Sequence, residues 1–176
     1  KQLTKDEFSK YIKGSYNLTF DANGGSIDAG ETSKTVYCGE KIGTMPTPTR
    51  EYYTFDGWFT EAIGGTQITE EMVFEGYSDQ TLYAHWKPNG YTASWNTAAN
   101  CSISVKRISS PFAGAAIGTL SSGDIVYYGD VLEVAYAAST GYSVSSQGRT
   151  SITVAGDVTP SDIYATATPN SYTYNV

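Results

Sequence analysis

The sequence predicts a mainly β protein built from small modules. The chain has 176 residues, enough for one domain or two small ones. Charged residues make up only 16% of the chain, whereas glycine and tyrosine number 18 and 15, a composition typical of exposed β-sheet. Alternation of apolar and polar residues recurs in both halves. We therefore expect strands to dominate the fold.

Residues 1–15 are predicted to form a short helix or linker. Thr4 and Glu7 fit a capping box, in which the two side chains bond backbone amides at the start of a helix. Gly14 would end the helix. The apolar side chains that would share one face are Phe8, Tyr11 and Ile12.

Three segments of the next module, residues 16–88, have clear strand patterns. In residues 16–21, Tyr, Leu and Phe alternate with polar residues, and the turn-forming run Asn23-Gly24-Gly25 follows. Residues 34–38 form the second predicted strand. In residues 81–86, alternate apolar side chains would share one face, namely Leu82, Ala84 and Trp86.

Residues 52–59 form the most aromatic segment, with five rings in eight residues. Such density predicts the centre of a core, because each buried ring stabilises the fold by about 2–3 kcal/mol. We expect Trp58 and Trp86 to be buried for this reason. Strict alternation along a strand would place Trp58 on the face opposite Phe55 and Phe59.

The segment between residues 61 and 80 has weaker signals. Residues 69–72 are compatible with one helical turn. Residues 87–90, Lys-Pro-Asn-Gly, have the composition of a linker and set the predicted boundary between modules 16–88 and 89–170. The alternating residues 171–176 would begin a following strand or tail.

The second module is predicted to be a diverged copy of the first. Val131 to Ala138 is its clearest strand, with Leu132, Val134 and Tyr136 on one face. Four of its segments match segments of the first module in the same order. Residues 91–96, 125–130, 141–144 and 162–165 correspond to residues 16–21, 35–40, 52–55 and 81–84.

These segments resemble a known family. The resemblance rests on the segments Leu18-Thr19-Phe20-Asp21, Asn23-Gly24-Gly25, Val36-Tyr37-Cys38-Gly39-Glu40, Pro48 to Thr60 and Thr81 to Trp86. Residues 16–87 thereby resemble the Listeria–Bacteroides repeat, the B-repeat module of internalin-type surface proteins. One departure is Tyr52, where the family pattern usually has glycine. Residues 90–170 resemble a divergent form that lacks tryptophan at the positions of Trp58 and Trp86.

The resemblance implies both a fold and a role. It implies an α+β, β-grasp (ubiquitin-like) fold for the first module. It further implies tandem modules of an exported bacterial cell-surface protein, located outside the cell and serving as stalk, spacer or adhesion unit. The family brings no catalytic residues, and we expect neither enzymatic activity nor a cofactor. The alternatives are a carbohydrate-binding module and an accessory domain of a secreted hydrolase.

Residues able to carry chemistry are few. His85 is the only histidine, and it would lie on the exposed face of its strand. Cys38 is a conceivable nucleophile without a neighbouring activating motif. Glu70, Glu71 and Glu75 could attract calcium weakly, although a solvated acidic face is the simpler explanation. The motifs of common metal sites are absent from the sequence.

Aromatic side chains are the candidate ligand contacts. Sugar-binding modules stack rings on sugars, and the rings that would do so if exposed are Trp58, Tyr77, Tyr83 and Trp95. Core packing is the competing role, especially for tryptophan. The outward tyrosines, expected to be Tyr83, Tyr128 and Tyr164, suit protein contacts or cross-strand pairing.

Composition excludes some partners and leaves others open. The net charge of −7 argues against nucleic acid, and no apolar run approaches the length of a membrane span. Host or matrix protein, glycan and self-association through sheet edges remain open as partners. Cys38 and Cys101 lie in different modules, and the sequence leaves their pairing undecided.

Overall fold

The computed structural model describes residues 14–171. This part of the chain contains strands, turns and irregular segments but no helix, which confirms a mainly β protein. The chain divides into two compact units, one ending at Lys87 and the other starting at Pro88. The predicted helix within residues 1–15 and the predicted strand or tail at 171–176 fall essentially outside the described residues.

From residue 14 onward, where the structure describes it, the first unit is a five-stranded sheet. Its strands are β1 (Ser15–Asp21), β2 (Ser33–Tyr37), β3 (Tyr53–Phe59), β4 (Gln67–Ile68) and β5 (Gln80–Pro88). Their order across the sheet is β2-β1-β5-β3-β4. β1 is antiparallel to β2 and parallel to β5, so the first and last strands of the unit are neighbours in the middle of the sheet.

The α+β and β-grasp expectation for the first unit is not supported. Among the residues that the structure describes there is no helix to pack across this sheet. The connection between β2 and β3 contains Pro46 and Pro48, which remove backbone donors and favour an extended chain. Residues 69–72 form a turn, closed by the Met72 amide donating to the Thr69 carbonyl at 3.1 Å, rather than a helix.

The core of the first unit contains the predicted tryptophans. Trp58 is 2% exposed, and its ring centroid lies 4.9 Å from that of Phe20 and 5.5 Å from that of Phe55. Trp86 packs against the same core with partial exposure. The buried members are Leu18, Phe20, Val36, Ile42, Trp58, Phe74, Leu82 and Ala84.

The predicted faces of β3 are wrong beyond Phe55. Phe55 and Trp58 both contact the core, although strict alternation would separate residues three apart. The alternation slips by one residue at Gly57, whose φ of 126° is accessible mainly to glycine. Phe59 consequently lies on the opposite side and stacks on His85.

The described part of the second unit contains eight strands in three sheets. They are β6 (Gly90–Thr92), β7 (Cys101–Ser109), β8 (Gly118–Leu120), β9 (Ile125–Tyr127), β10 (Val131–Ala138), β11 (Tyr142–Gln147), β12 (Ser151–Thr153) and β13 (Ala165–Pro169). The largest sheet has the order β12-β10-β7-β8, and the pairs β6-β9 and β11-β13 form the other two. Leu132 and Val134 of β10 are buried with Tyr136 packed beside them, as predicted.

The second unit does not repeat the sheet of the first. Its strands from the four matched segments lie in two separate pairs, whereas their counterparts in the first unit share one sheet. The strand predicted at residues 91–96 ends at Thr92, and residues 162–164 precede β13 as a turn and a bend. A relationship between the two modules therefore stays a prediction from sequence.

A buried ion pair lies inside the second unit. Arg107 of β7 is 4% exposed and Asp130 is fully buried, with Arg107 Nε donating to Asp130 Oδ2 at 2.6 Å. The Arg107 guanidinium also donates to the carbonyls of Ala116 and Ile125, at 2.9 and 2.5 Å. The same Oδ2 accepts from the Tyr127 amide at 2.9 Å.

Candidate interaction surface of the first unit

The outer face is defined here as the sheet surface opposite the core of the first unit. Parallel pairing aligns Thr19 with Thr81, and Asp21 with Tyr83. Phe20, between Thr19 and Asp21, and Leu82, between Thr81 and Tyr83, point into the core. Because successive side chains of a strand alternate, these four side chains lie together on the outer face.

Tyr83 is the central ring of this face. It is partly buried and lines two shallow, open depressions. One depression is also lined by Thr19, Asp21 and Thr32. The other is lined by Thr60, Gln80 and Thr81. The two depressions therefore place the Tyr83 ring among hydroxyls, an amide and a carboxylate, groups that suit reversible polar contacts with a protein or glycan.

His85, the predicted candidate for acid–base chemistry, is used structurally. Its ring stacks on Phe59, with centroids 3.8 Å apart and planes 10° from parallel. Nε2 lies 2.9 Å from the Glu61 carbonyl oxygen. Since a carbonyl can only accept, His85 carries a proton on Nε2 and donates it there. Its ring is thus held between a neighbouring ring and a backbone acceptor.

The cysteines are unpaired. Cys38 and Cys101 are both free and partly buried. Cys38 follows β2 in the first unit, and Cys101 begins β7 in the second. No hydrogen bond or ring contact described for His85 involves a thiol.

Two of the three glutamates that could attract calcium have protein partners. Glu71 forms an ion pair with Lys41, and Glu70 Oε1 accepts from the Met45 amide at 3.0 Å. Glu75 is exposed. Within residues 14–171 no group of three or more His, Cys, Asp or Glu side chains is placed to hold a metal ion.

The four candidate ligand-binding rings separate clearly by exposure. Trp58 and Trp95 are buried, at 2% and 9% exposure, and so belong to the two cores. Tyr77 is 83% exposed in the segment before β5. Only Tyr83 combines partial burial with adjoining depressions. Among these four rings, the structure favours Tyr83 as a contact residue.

The tyrosines of the second unit have different environments. Tyr128 is partly buried, and Tyr164 is 40% exposed. Tyr136 donates its hydroxyl to the Arg149 carbonyl at 2.7 Å. Burial, and secondarily the neighbouring Tyr164, raise the pKa of Tyr136 above its ordinary value.

Two features of the outer face were not predicted. The Phe59–His85 stack was missed because the slip at Gly57 was not anticipated; the Asp-Gly pair before Trp58 was the available signal. Thr32 and Thr60 were missed as lining residues because they precede β2 and follow β3 in irregular segments.

Comparison with known proteins identifies the first unit. The model of the Listeria-Bacteroides repeat domain matches residues 16–85, from β1 into β5. Residues 16–85 are thus similar to the Listeria-Bacteroides repeat domain. The family resemblance predicted for the first module is thereby confirmed. The match ends before the second unit begins.

Two curated relatives share part of the chain. Internalin H of Listeria monocytogenes is 39% identical over 84 residues, covering 46% of this chain and 14% of internalin H. A putative Gly-rich membrane protein of Evansella cellulosilytica is 31% identical over 101 residues, covering 55% of this chain and 11% of that protein. The chain thus spans only a small part of either relative that contains a similar repeat.

None of residues 14–171 belongs to a helix long and apolar enough to cross a bilayer.

Proposed function

We propose that this chain is a non-catalytic segment of an exported bacterial surface protein, in which the repeat domain spaces a neighbouring part of the protein from the cell. The observation that carries this proposal is the parallel pairing of β1 with β5. Parallel neighbours run in the same direction, so the chain enters the domain at one end of the sheet and leaves at the other. The names and repeat content of the relatives support the surface location.

With this arrangement, each added domain increases the total length of a series of domains. β5 has nine residues, and a strand of that length extends about 30 Å. Two antiparallel terminal strands would instead return the chain to its starting side and add little reach. Each repeat of this kind therefore lengthens a series of domains by about one sheet height.

Contact with a partner is proposed for the outer face. Tyr83 and its surrounding hydroxyls suit a host or matrix protein, or a glycan, without forming a deep pocket. The sheet also ends at the exposed backbone edges of β2 and β4, which suit pairing with another strand and hence self-association.

A display experiment tests the spacing role. The chain is placed between a cell-wall anchor and a reporter peptide on a bacterial surface, with the repeat domain deleted, present once, or duplicated. We expect capture of cells by large beads coated with an antibody to the reporter to increase along this series. Binding of a small labelled antibody fragment should stay constant, because it needs no reach.

Matched variants separate spacing from contact. Tyr83→Ala should leave bead capture unchanged, because it alters the outer face without altering domain length. Equal bead capture by all three lengths would contradict the spacing role. A loss of capture with Tyr83→Ala equal to that of the deletion would assign the effect to contact instead.

A further inference from the structure

We propose that the first unit is a load-bearing module, in which a parallel clamp resists tension applied along the chain. The parallel clamp is defined as residues 17–23, of which 17–21 belong to β1, together with residues 79–86, of which 80–86 belong to β5. The proposal deepens the proposed spacing function, because a spacer between a cell and an attached partner transmits force.

The pairing geometry determines how tension acts on the clamp. Four register pairs join the strands, from Leu18 with Gln80 to Asp21 with Tyr83. Tension pulls β1 back from its first residue and β5 forward from its last residue. Because the strands are parallel, this displacement slides one along the other and loads all four pairs together. A ladder pulled from one end would open one pair at a time.

Core packing adds a second barrier to sliding. Leu18 and Phe20 of β1, and Leu82 of β5, are at most 4% exposed. A shift by one residue exchanges the two faces of a strand. Sliding would therefore bring polar Thr19 or Thr81 into the core while exposing these apolar side chains.

Side chains secure both ends of the clamp. At the beginning, the Asn17 backbone N–H donates to Asp79 Oδ1 at 2.7 Å. At the far end, Trp86 Nε1 donates to the Ala22 carbonyl at 3.0 Å. Asn23 Nδ2 donates to the Ala84 carbonyl at 3.0 Å. The link between the two segments thus extends beyond the four register pairs on both sides.

The second unit provides a contrast within the same chain. Its first strand, β6, pairs antiparallel with β9, and its last strand, β13, pairs antiparallel with β11. Next to β6, a single parallel bridge joins Ala93 to Val158. The described part of this unit has no ladder directly joining its first and last strands. We expect the second unit to unfold at lower force.

Single-molecule pulling of the full chain by its two ends tests these expectations. An insertion of about 20 Gly and Ser residues between Ile63 and Gly64 marks the first unit, since it adds about 70 Å to the length released on unfolding. Ile63 is 90% exposed, so the site tolerates extra chain. The lengthened event should be the second of the two and should occur at the higher force.

Changing the pulling direction tests the clamp itself. In a Cys38→Ser, Cys101→Ser background, Tyr77→Cys provides an attachment point just before β5. Tension between the N-terminus and residue 77 acts at the same end of both strands and peels them apart. The first unit should then rupture at several-fold lower force than under end-to-end tension at the same loading rate.

Two carboxylate variants test the ends of the clamp. Asp79→Ala removes the acceptor for the Asn17 amide, and Glu70→Ala removes the acceptor for the Met45 amide outside the clamp. End-to-end rupture force should fall for Asp79→Ala and not for Glu70→Ala. Both residues are exposed, so neither change leaves a cavity in the core.

Equal rupture forces in the two pulling directions would overturn the load-bearing proposal, as would equal effects of the two carboxylate variants. Rupture of the marked unit before the second unit would also contradict it. The two proposals fail separately. A direction-independent first unit contradicts load bearing alone, whereas bead capture that is independent of domain length contradicts spacing alone.

Discussion

Tyr52 occupies a backbone position that favours glycine. Its φ is 64°, in the left-handed region, and it lies within a turn in which the Tyr53 amide donates to the Arg50 carbonyl at 3.2 Å. In that region a residue with a side chain is roughly 1–2 kcal/mol less stable than glycine. The resemblance noted from sequence, in which the repeat usually has glycine here, acquires a physical reason.

Replacement of Tyr52 tests this strain. Tyr52→Gly and Tyr52→Ala both remove the ring, but only glycine relieves the left-handed backbone. We expect the glycine variant to be more stable than the alanine variant by about 1 kcal/mol in urea unfolding. An alanine variant as stable as the glycine variant would show that the turn is not strained.

For single residues, the sequence predicted which side chains are buried better than it predicted the strand face on which each side chain lies. Trp58 was expected in the core because a small domain needs its large rings inside, and that argument does not depend on strand geometry. Its face depended on a slip at Gly57, which alternation alone cannot reveal. Arg107 was missed because a charged residue within a strand is ordinarily assigned to solvent.

Arg107 joins several segments of the second unit. It extends from β7 to the carbonyls of Ala116 before β8 and Ile125 in β9, and to the Asp130 carboxylate before β10. Its guanidinium also lies 5.7 Å from the Tyr127 ring centroid. One side chain therefore fixes the relative positions of elements that belong to two different sheets.

Removal of Asp130, the ion-pair partner of Arg107, should strongly lower the stability of the second unit. Asp130→Ala leaves the Arg107 charge buried and unpaired, and such changes cost about 3–5 kcal/mol. Chemical denaturation monitored by the fluorescence of Trp95 would measure the loss. Asp124→Ala is a matched control, because it removes an exposed carboxylate that accepts only a local amide, from Ser121 at 2.7 Å. Similar losses in both variants would contradict a central role for the ion pair.

Strands were predicted more accurately where apolar and polar residues alternate clearly in the sequence. The strands with clean alternation, β1, β5 and β10, were predicted within a residue or two. The short strands β4 and β8 gave too few residues for a period to appear. The parallel pairing of β1 with β5 joins segments about 60 residues apart, and a local pattern carries no information about such pairing.

At the scale of the molecule, the two units have separate hydrophobic cores. One cluster contains Leu18 and Trp58, and the other contains Leu132 and Ile163. Each unit meets the basic requirement for cooperative folding, a core of its own.

Core variants test this separation. Leu18→Ala and Leu132→Ala should each lower the stability of their own unit by about 2–5 kcal/mol. Hydrogen–deuterium exchange analysed by mass spectrometry would locate the loss. Protection should fall in residues 15–87 for the first variant and in residues 90–169 for the second. Loss of protection across both units in either variant would reveal a single cooperative structure.

The candidate surface was only partly accessible from sequence. Tyr83 was among four rings proposed for contact; Trp58 and Trp95 are buried in the structure, whereas Tyr83 lines a depression. Composition showed that the chain is rich in aromatic residues. Which of them faces solvent on the sheet depended on the assembled core.

Asn23 has a consequence for chemical ageing. Asparagine followed by glycine is the sequence most prone to deamidation, because the Gly24 backbone nitrogen attacks an unhindered side-chain amide. In the folded domain, Asn23 Nδ2 is held by the carbonyls of Ala62 and Ala84, both at 3.0 Å. These contacts immobilise the amide while the domain is folded, and unfolding releases it. Loss of that amide would also remove a donor at the end of the parallel clamp. The rate at which Asn23 deamidates should therefore fall as the fraction of time that the domain spends folded rises.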